Sequence, residues 1–85
     1  MKVLIPSALR SYTQSSDAEA CGSTLDEVLL DLDRQYPGIR FRVIDEQHRV
    51  RRHIRIFVNG VSADSLVLAM QSGDEVVIVQ ALSGG

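Results

Sequence analysis

Two histidines (His48 and His53), one cysteine (Cys21) and the glycine pair Gly84-Gly85 are the residues of this 85-residue chain from which chemistry would have to be built. The histidines stand among arginines, and a histidine in such company is more often a surface or partly packed residue than a catalytic one. A single cysteine makes neither an internal disulfide nor a multi-cysteine metal site. Cys21 reads as a small apolar filler just before a helix, although a helix N-terminus lowers the pKa of a thiol. There is no glycine-rich phosphate loop, no paired-histidine spacing and no G-x-S-x-G elbow. The expectation is a chain with no catalytic residues, no metal site and no cofactor bound by itself.

The diglycine offers a different chemistry. A carboxylate is a poor electrophile and must be activated, for instance as an acyl-adenylate, before its oxygen can be displaced. The enzyme that does so has to admit the end of the chain into a site beside ATP. Glycines make the thinnest thread and adopt extended angles closed to other residues. A side chain on residue 85 would crowd the attacked carbonyl. Gly85, approached through Gly84, is therefore the candidate site; the competing reading is a tail without a role.

The elements that must position this tail follow from hydrophobic pattern. Lys2-Val3-Leu4-Ile5 reads as a first strand, apolar and β-branched. Pro6 to Tyr12 reads as a connection, and a second strand falls within Gln14 to Cys21. Thr24-Leu25-Asp26-Glu27 fits a capping box, with Ser23 an equal candidate for the N-cap. Leu25, Val28, Leu29, Leu32 and Tyr36 then recur at helical spacing, and Pro37-Gly38 stops the helix. Residues 39 to 52 are ambiguous: Ile39, Phe41 and Val43 alternate like a strand, whereas Val43-Ile44 also suits a short helix. His53 to Val58 is a strand, Asn59-Gly60 is a tight hairpin signal, and a short strand begins at Val61. Leu66 to Met70 suits one helical turn and Ser72-Gly73-Asp74 a turn. Glu75 to Val79, apolar on both faces, suits a central last strand. This order gives an α+β, two-layer domain: a mixed sheet with one main helix packed on one face. The first and last strands lie side by side in a β-grasp arrangement covering residues 1 to 81, with residues 82 to 85 as a flexible tail.

Bulk properties exclude other classes. Net charge is -2 and the pI about 5.5, which argues against nucleic acid as the main partner. The arginines are also not interleaved with aromatic residues, as RNA binding would favour. No apolar stretch approaches the roughly 20 residues that span a bilayer, and the run before Pro6 is too short for a signal peptide. No membrane association is expected, and the lone cysteine suits a reducing, cytoplasmic setting.

On Val58-Asn59-Gly60, then Ser72-Gly73-Asp74-Glu75-Val76-Val77-Ile78, then Ser83-Gly84-Gly85, the chain resembles the MoaD/ThiS family of ubiquitin-like sulfur carriers. The resemblance runs over essentially the whole chain in element order. It implies that an ATP-dependent activating enzyme adenylates Gly85. A sulfurtransferase or other sulfur donor then converts it to a covalent thiocarboxylate, whose sulfur goes to a biosynthetic acceptor enzyme. Molybdopterin-type members often carry prolines just before the tail, where this chain has Gln80-Ala81-Leu82-Ser83. The Ile39 to His53 segment is longer and richer in arginine than a thiamine-type carrier needs. In both respects the chain looks closer to carriers for cysteine or secondary-metabolite biosynthesis. The alternatives are the small subunit of molybdopterin synthase, a carrier for the thiazole of thiamine, a ubiquitin-like protein modifier and a non-catalytic adaptor.

A carrier must offer its partners a surface. The sheet face not covered by the helix is the natural place for one. Phe57 alternates with Ile54, Ile56 and Val58 and falls on that face, unless residues 39 to 50 cover it. Either Val76 and Ile78 or Val77 and Val79 join it, and pattern alone leaves both open. The candidate docking set is Phe57, Val77, Val79, Leu82 and Ser83. Arg40, Arg42, Arg49, Arg51, Arg52 and Arg55 read either as a solvated loop or as a steering surface for an acidic partner.

Overall fold

The computed structural model describes residues 1–81. Five strands form one sheet in the order β2-β1-β5-β3-β4: β1 is Lys2–Leu4, β2 Asp17–Glu19, β3 Ile54–Val58, β4 Val61–Ala63 and β5 Glu75–Gln80. β1 and β5 run parallel at the centre, and the neighbouring pairs are antiparallel. This is the mixed β-grasp sheet expected from the sequence.

The main helix, α2 (Leu25–Gln35), forms where the pattern places it. Thr24 caps it by accepting the Glu27 N–H at 3.2 Å, and the Glu27 carboxylate reaches back to the Ser23 N–H at 2.8 Å. Two acidic residues in its first turn also suit the positive end of the helix. Leu25, Val28, Leu29 and Leu32 are fully buried against Val3, Ile54, Ile56, Val76 and Ile78. The hairpin between β3 and β4 turns on Asn59 (φ 52°) and Gly60 (φ 84°), both left-handed as a two-residue turn requires. Asn59 also ties the hairpin to the start of β5. Its amide donates to Asp74 at 2.9 Å and its carbonyl accepts the Glu75 N–H at 3.0 Å.

Two regions are refined and one expectation is corrected. The connection that starts at Pro6 contains a 3-10 turn at Ser7–Leu9 running into α1 (Arg10–Thr13), and it buries Leu9 and Thr13. Residues 39 to 43 form a short helix, α3 (Ile39–Val43), followed by an isolated bridge between Ile44 and Val50. Leu66 to Met70 is a turn bridged to Thr24 through Ala69, not a helical turn. Its carbonyls are used by α2: Leu68 accepts the Leu25 N–H and Leu66 the Asp26 N–H, both at 2.9 Å. First-turn N–H groups have no partner inside their own helix, so this loop supplies one.

Asp31 is a buried acid on α2 and pins the chain leading into the helix. Its carboxylate accepts the Cys21 N–H at 3.0 Å and faces Arg34 and Gln35. The Cys21 N–H bond, assisted by Arg34 and Gln35, lowers its pKa below the ordinary 3.8 despite the opposing effect of burial. A lowered folded-state pKa means stability present above the unfolded value and lost as pH falls through the folded one. The urea midpoint of the wild-type chain should therefore drop as pH falls from 5 through the region below about 4. An Asp31→Asn variant should start lower at pH 7 and show a shallower acid dependence. Parallel curves for the two proteins would remove Asp31 as the source.

Candidate functional site: the open sheet face and the root of the tail

Strand alternation sends Val3, Val76, Ile78, Ile54, Ile56 and Val58 into the core, which leaves their neighbours on the opposite face. Register then builds a row across the three central strands: Leu4 pairs with Val77, and Val77 with Phe57. Val79 lies one step along β5, opposite Arg55. Leu4, Phe57 and Val77 are half-buried, while Val79 is 39% exposed. The set left open by pattern is thus resolved, since Val77 and Val79 share the face of Phe57 and Val76 and Ile78 do not. The apolar residues of the 39 to 50 segment are spent elsewhere. Ile39, Val43 and Ile44 enter the core on the helix side.

Leu4 belongs to this row and was not picked out from the sequence. Its signal was available in the expected pairing of the first and last strands, which sets Leu4 beside Val77. The row is edged by charge. Lys2 faces Asp17 at 4.0 Å across β1 and β2, and Arg55 lies beside Val79.

β5 carries the chain out of this face. Beyond Gln80, the Ala81 N–H donates to the His53 carbonyl at 2.7 Å, and Gln80 pairs with Ile54. Ala81 is thereby fixed at the sheet end where β3 begins. A hollow of about 340 Å³ lies beside this root, lined by Leu4, Pro6, Arg10, Val79 and Gln80. A larger one, about 510 Å³, sits at the far end of β5 around Asn59, Leu68 and Asp74. Leu82, Ser83, Gly84 and Gly85 lie outside the described residues.

The remaining candidates separate. His48 and His53 are exposed and far apart in role: His48 sits in a turn with φ 61°, and His53 receives the Ala81 N–H through its backbone. Cys21 is exposed, not the core filler expected. Ala20 takes the inward position, and the Cys21 backbone faces Asp31. Arg40 is likewise not a solvated loop residue. It pairs with Asp26 at 2.5 Å with only 16% of its side chain exposed, and Asp33 accepts its N–H. Among the described residues, no group of His, Cys, Asp and Glu gathers as a metal site. Nor is any helix among them long and apolar enough to cross a membrane.

Comparison with known proteins agrees with this geometry. The sulfur carrier protein CysO of Mycobacterium tuberculosis is 35% identical over 89 residues, spanning 98% of this chain and 96% of that protein. Small archaeal modifier protein 3 of Haloferax volcanii is 32% identical over 66 residues, 74% of this chain and 71% of its own length. Among solved structures, a chain of the Amycolatopsis orientalis BexX/CysO complex superposes with a TM-score of 0.89 at 31% identity. That match covers 99% of this chain and 98% of the other. The ThiS family model matches residues 3–85, from the first strand of the sheet through the diglycine, and the chain belongs to the ThiS family.

Proposed function

We propose that this protein is a sulfur carrier working in the biosynthesis of cysteine or another small metabolite, and that it is not itself an enzyme. Gly85 is adenylated by an ATP-dependent activating enzyme. A sulfur donor displaces the adenylate and leaves a thiocarboxylate, from which an acceptor enzyme draws the sulfur. The chain binds no cofactor of its own, and ATP is the activating enzyme's substrate. The cytoplasm is the proposed setting. The observation that carries this reading is the anchoring of Ala81 on His53. It holds the start of the last four residues at a fixed edge of the apolar row Leu4, Val77 and Phe57.

In this reading Phe57, Val77, Val79, Leu82 and Ser83 meet the activating enzyme while Gly84 and Gly85 enter its site. The decisive test is the rate of adenylation, read as ATP–pyrophosphate exchange with the cognate activating enzyme. Burial of a phenylalanine side chain contributes about 1.5–3 kcal/mol, so Phe57→Asp should lower kcat/KM by about 10- to 100-fold. The melting temperature should stay close to wild type, because Phe57 lies outside the core. Unchanged exchange by a folded Phe57→Asp would move docking to another face.

The likeness to small archaeal modifier protein 3 supports a second reading, in which Gly85 is joined to lysines of target proteins. Both readings share the adenylate and part afterwards. Isopeptide-linked adducts in cells would select the modifier, and a thiocarboxylate consumed by a small-molecule acceptor would select the carrier.

A further inference from the structure

Gly85 lies four residues beyond Ala81, and an extended chain of that length reaches about 14 Å. Any enzyme that works on the Gly85 carboxylate must therefore lay its surface over the residues around Ala81. That surrounding is basic. His53 holds the Ala81 N–H, and Arg55 sits opposite Val79, two residues before Ala81. The Arg55 guanidinium donates to the Arg52 carbonyl at 2.8 Å, which brings these two residues together. Arg42 and Arg51 line a hollow with His53 and Phe41, and the Arg51 guanidinium lies 4.6 Å from the centre of the Phe41 ring. On the other side of the root, Arg10 borders the hollow that contains Gln80.

None of Arg10, Arg42, Arg51, Arg52 or Arg55 is in a salt bridge within the described residues, whereas Arg34 and Arg40 are. Two acids stand near the group: Asp64 shares a hollow with Arg51, Arg52 and Arg55, and the charge of Arg51 helps to lower the pKa of Asp45. A protein of net charge -2 thus keeps a group of arginines outside salt bridges, Arg52 and Arg55 among them, at the one place its length of tail obliges a partner to cover. Exposed arginines left without carboxylates in the free chain are available to a partner's carboxylates, and such pairing acts mainly on the rate of encounter.

We propose that these arginines form a basic collar around the tail root, and that it steers the activating enzyme through an acidic rim at the entrance of that enzyme's site. The proposal deepens the carrier reading and rests on it. Arg52 and Arg55 are the residues to test, being exposed, beside the root and adjacent to the apolar row. Mixing kinetics of the full-length chain with the activating enzyme of the same organism would be followed in low and high sodium chloride, alongside ATP–pyrophosphate exchange. The R52E/R55E variant should associate at least about tenfold more slowly than wild type at low salt, with a smaller change in dissociation. The difference should shrink to within about twofold at high salt, where the Debye length is about 3 Å. R52K/R55K keeps the charge and should keep most of the rate, which separates steering from a packing defect.

Equal association of wild type and R52E/R55E at low salt would overturn the collar while leaving the carrier reading intact, provided that wild type is adenylated. A defect of the same size at every salt concentration, or one shared by R52K/R55K, would also overturn it. Absence of wild-type adenylation would overturn the carrier reading and the collar with it.

Discussion

Deleting Gly85 should abolish the mass increase that accompanies replacement of one terminal oxygen by sulfur when the chain is incubated with its activating enzyme, ATP and a sulfur source. The expectation follows from distances. Ala81 is fixed by its bond to the His53 carbonyl, so the reach of the chain into a partner is set by the number of residues beyond it. Loss of one residue withdraws the carboxylate by about 3.5 Å. A displacement of about 1 Å in a reacting group already costs on the order of 100-fold in rate, so the truncated chain should fall below detection. The folded body should be unaffected, since among the described residues the last member of the buried core along the chain is Ile78. Gly85→Ala is the subtler partner experiment. It preserves reach but adds a Cβ beside the attacked carbonyl, and should slow the reaction without changing the melting temperature. A truncated chain that still gains sulfur would show that position is not fixed at the root. A wild-type chain that never gains it would leave the adaptor reading ahead.

Much of the architecture was legible because the signals are local. α2 announces itself by its cap, its stripe and the Pro37-Gly38 stop, and the hairpin by Asn59-Gly60. The ambiguity at residues 39 to 43 has a physical cause. Ile39, Phe41 and Val43 are spaced at i, i+2 and i+4, and a five-residue window of that kind satisfies two periods at once. In the helix that forms, Ile39 and Val43 share the buried face and Phe41 is left 57% exposed under Arg51. The turn at Leu66 to Met70 was illegible for another reason. Its conformation is set by the first-turn N–H groups of α2 some forty residues earlier, and no local pattern reports that demand. At the site, the face of Phe57 was readable by alternation. The choice of Val77 and Val79 needed the register, and Leu4 needed the parallel pairing of β1 with β5.

Gly22 is where a substitution of a single methyl group should do most harm to the fold. It lies between the last residues of the β2 connection and the cap of α2. A Cβ placed on it would stand 2.6 Å from the Val28 backbone nitrogen and 2.7 Å from the Glu27 carbonyl carbon. Backbone atoms of a helix cannot swing aside as the end of a flexible side chain can. The neighbouring contacts are also fixed: the Cys21 N–H is held by Asp31, the Ser23 N–H by Glu27, and the Ser23 carbonyl by the Met70 N–H at 2.9 Å. Relief would require α2 to move off the sheet, exposing Leu25, Val28 and Leu29 that are now fully buried. Gly22→Ala should therefore cost about 3 kcal/mol, toward the upper end of overpacking. In a domain of this size, that lowers the melting temperature by about 15 °C. Functionally, the variant separates two roles. It leaves Phe57, Val77, the arginines and the diglycine in place, so sulfur uptake should fall only in proportion to the unfolded fraction and recover on cooling. A melting temperature within a few degrees of wild type would mean that the loop before α2 yields where its hydrogen bonds say it cannot.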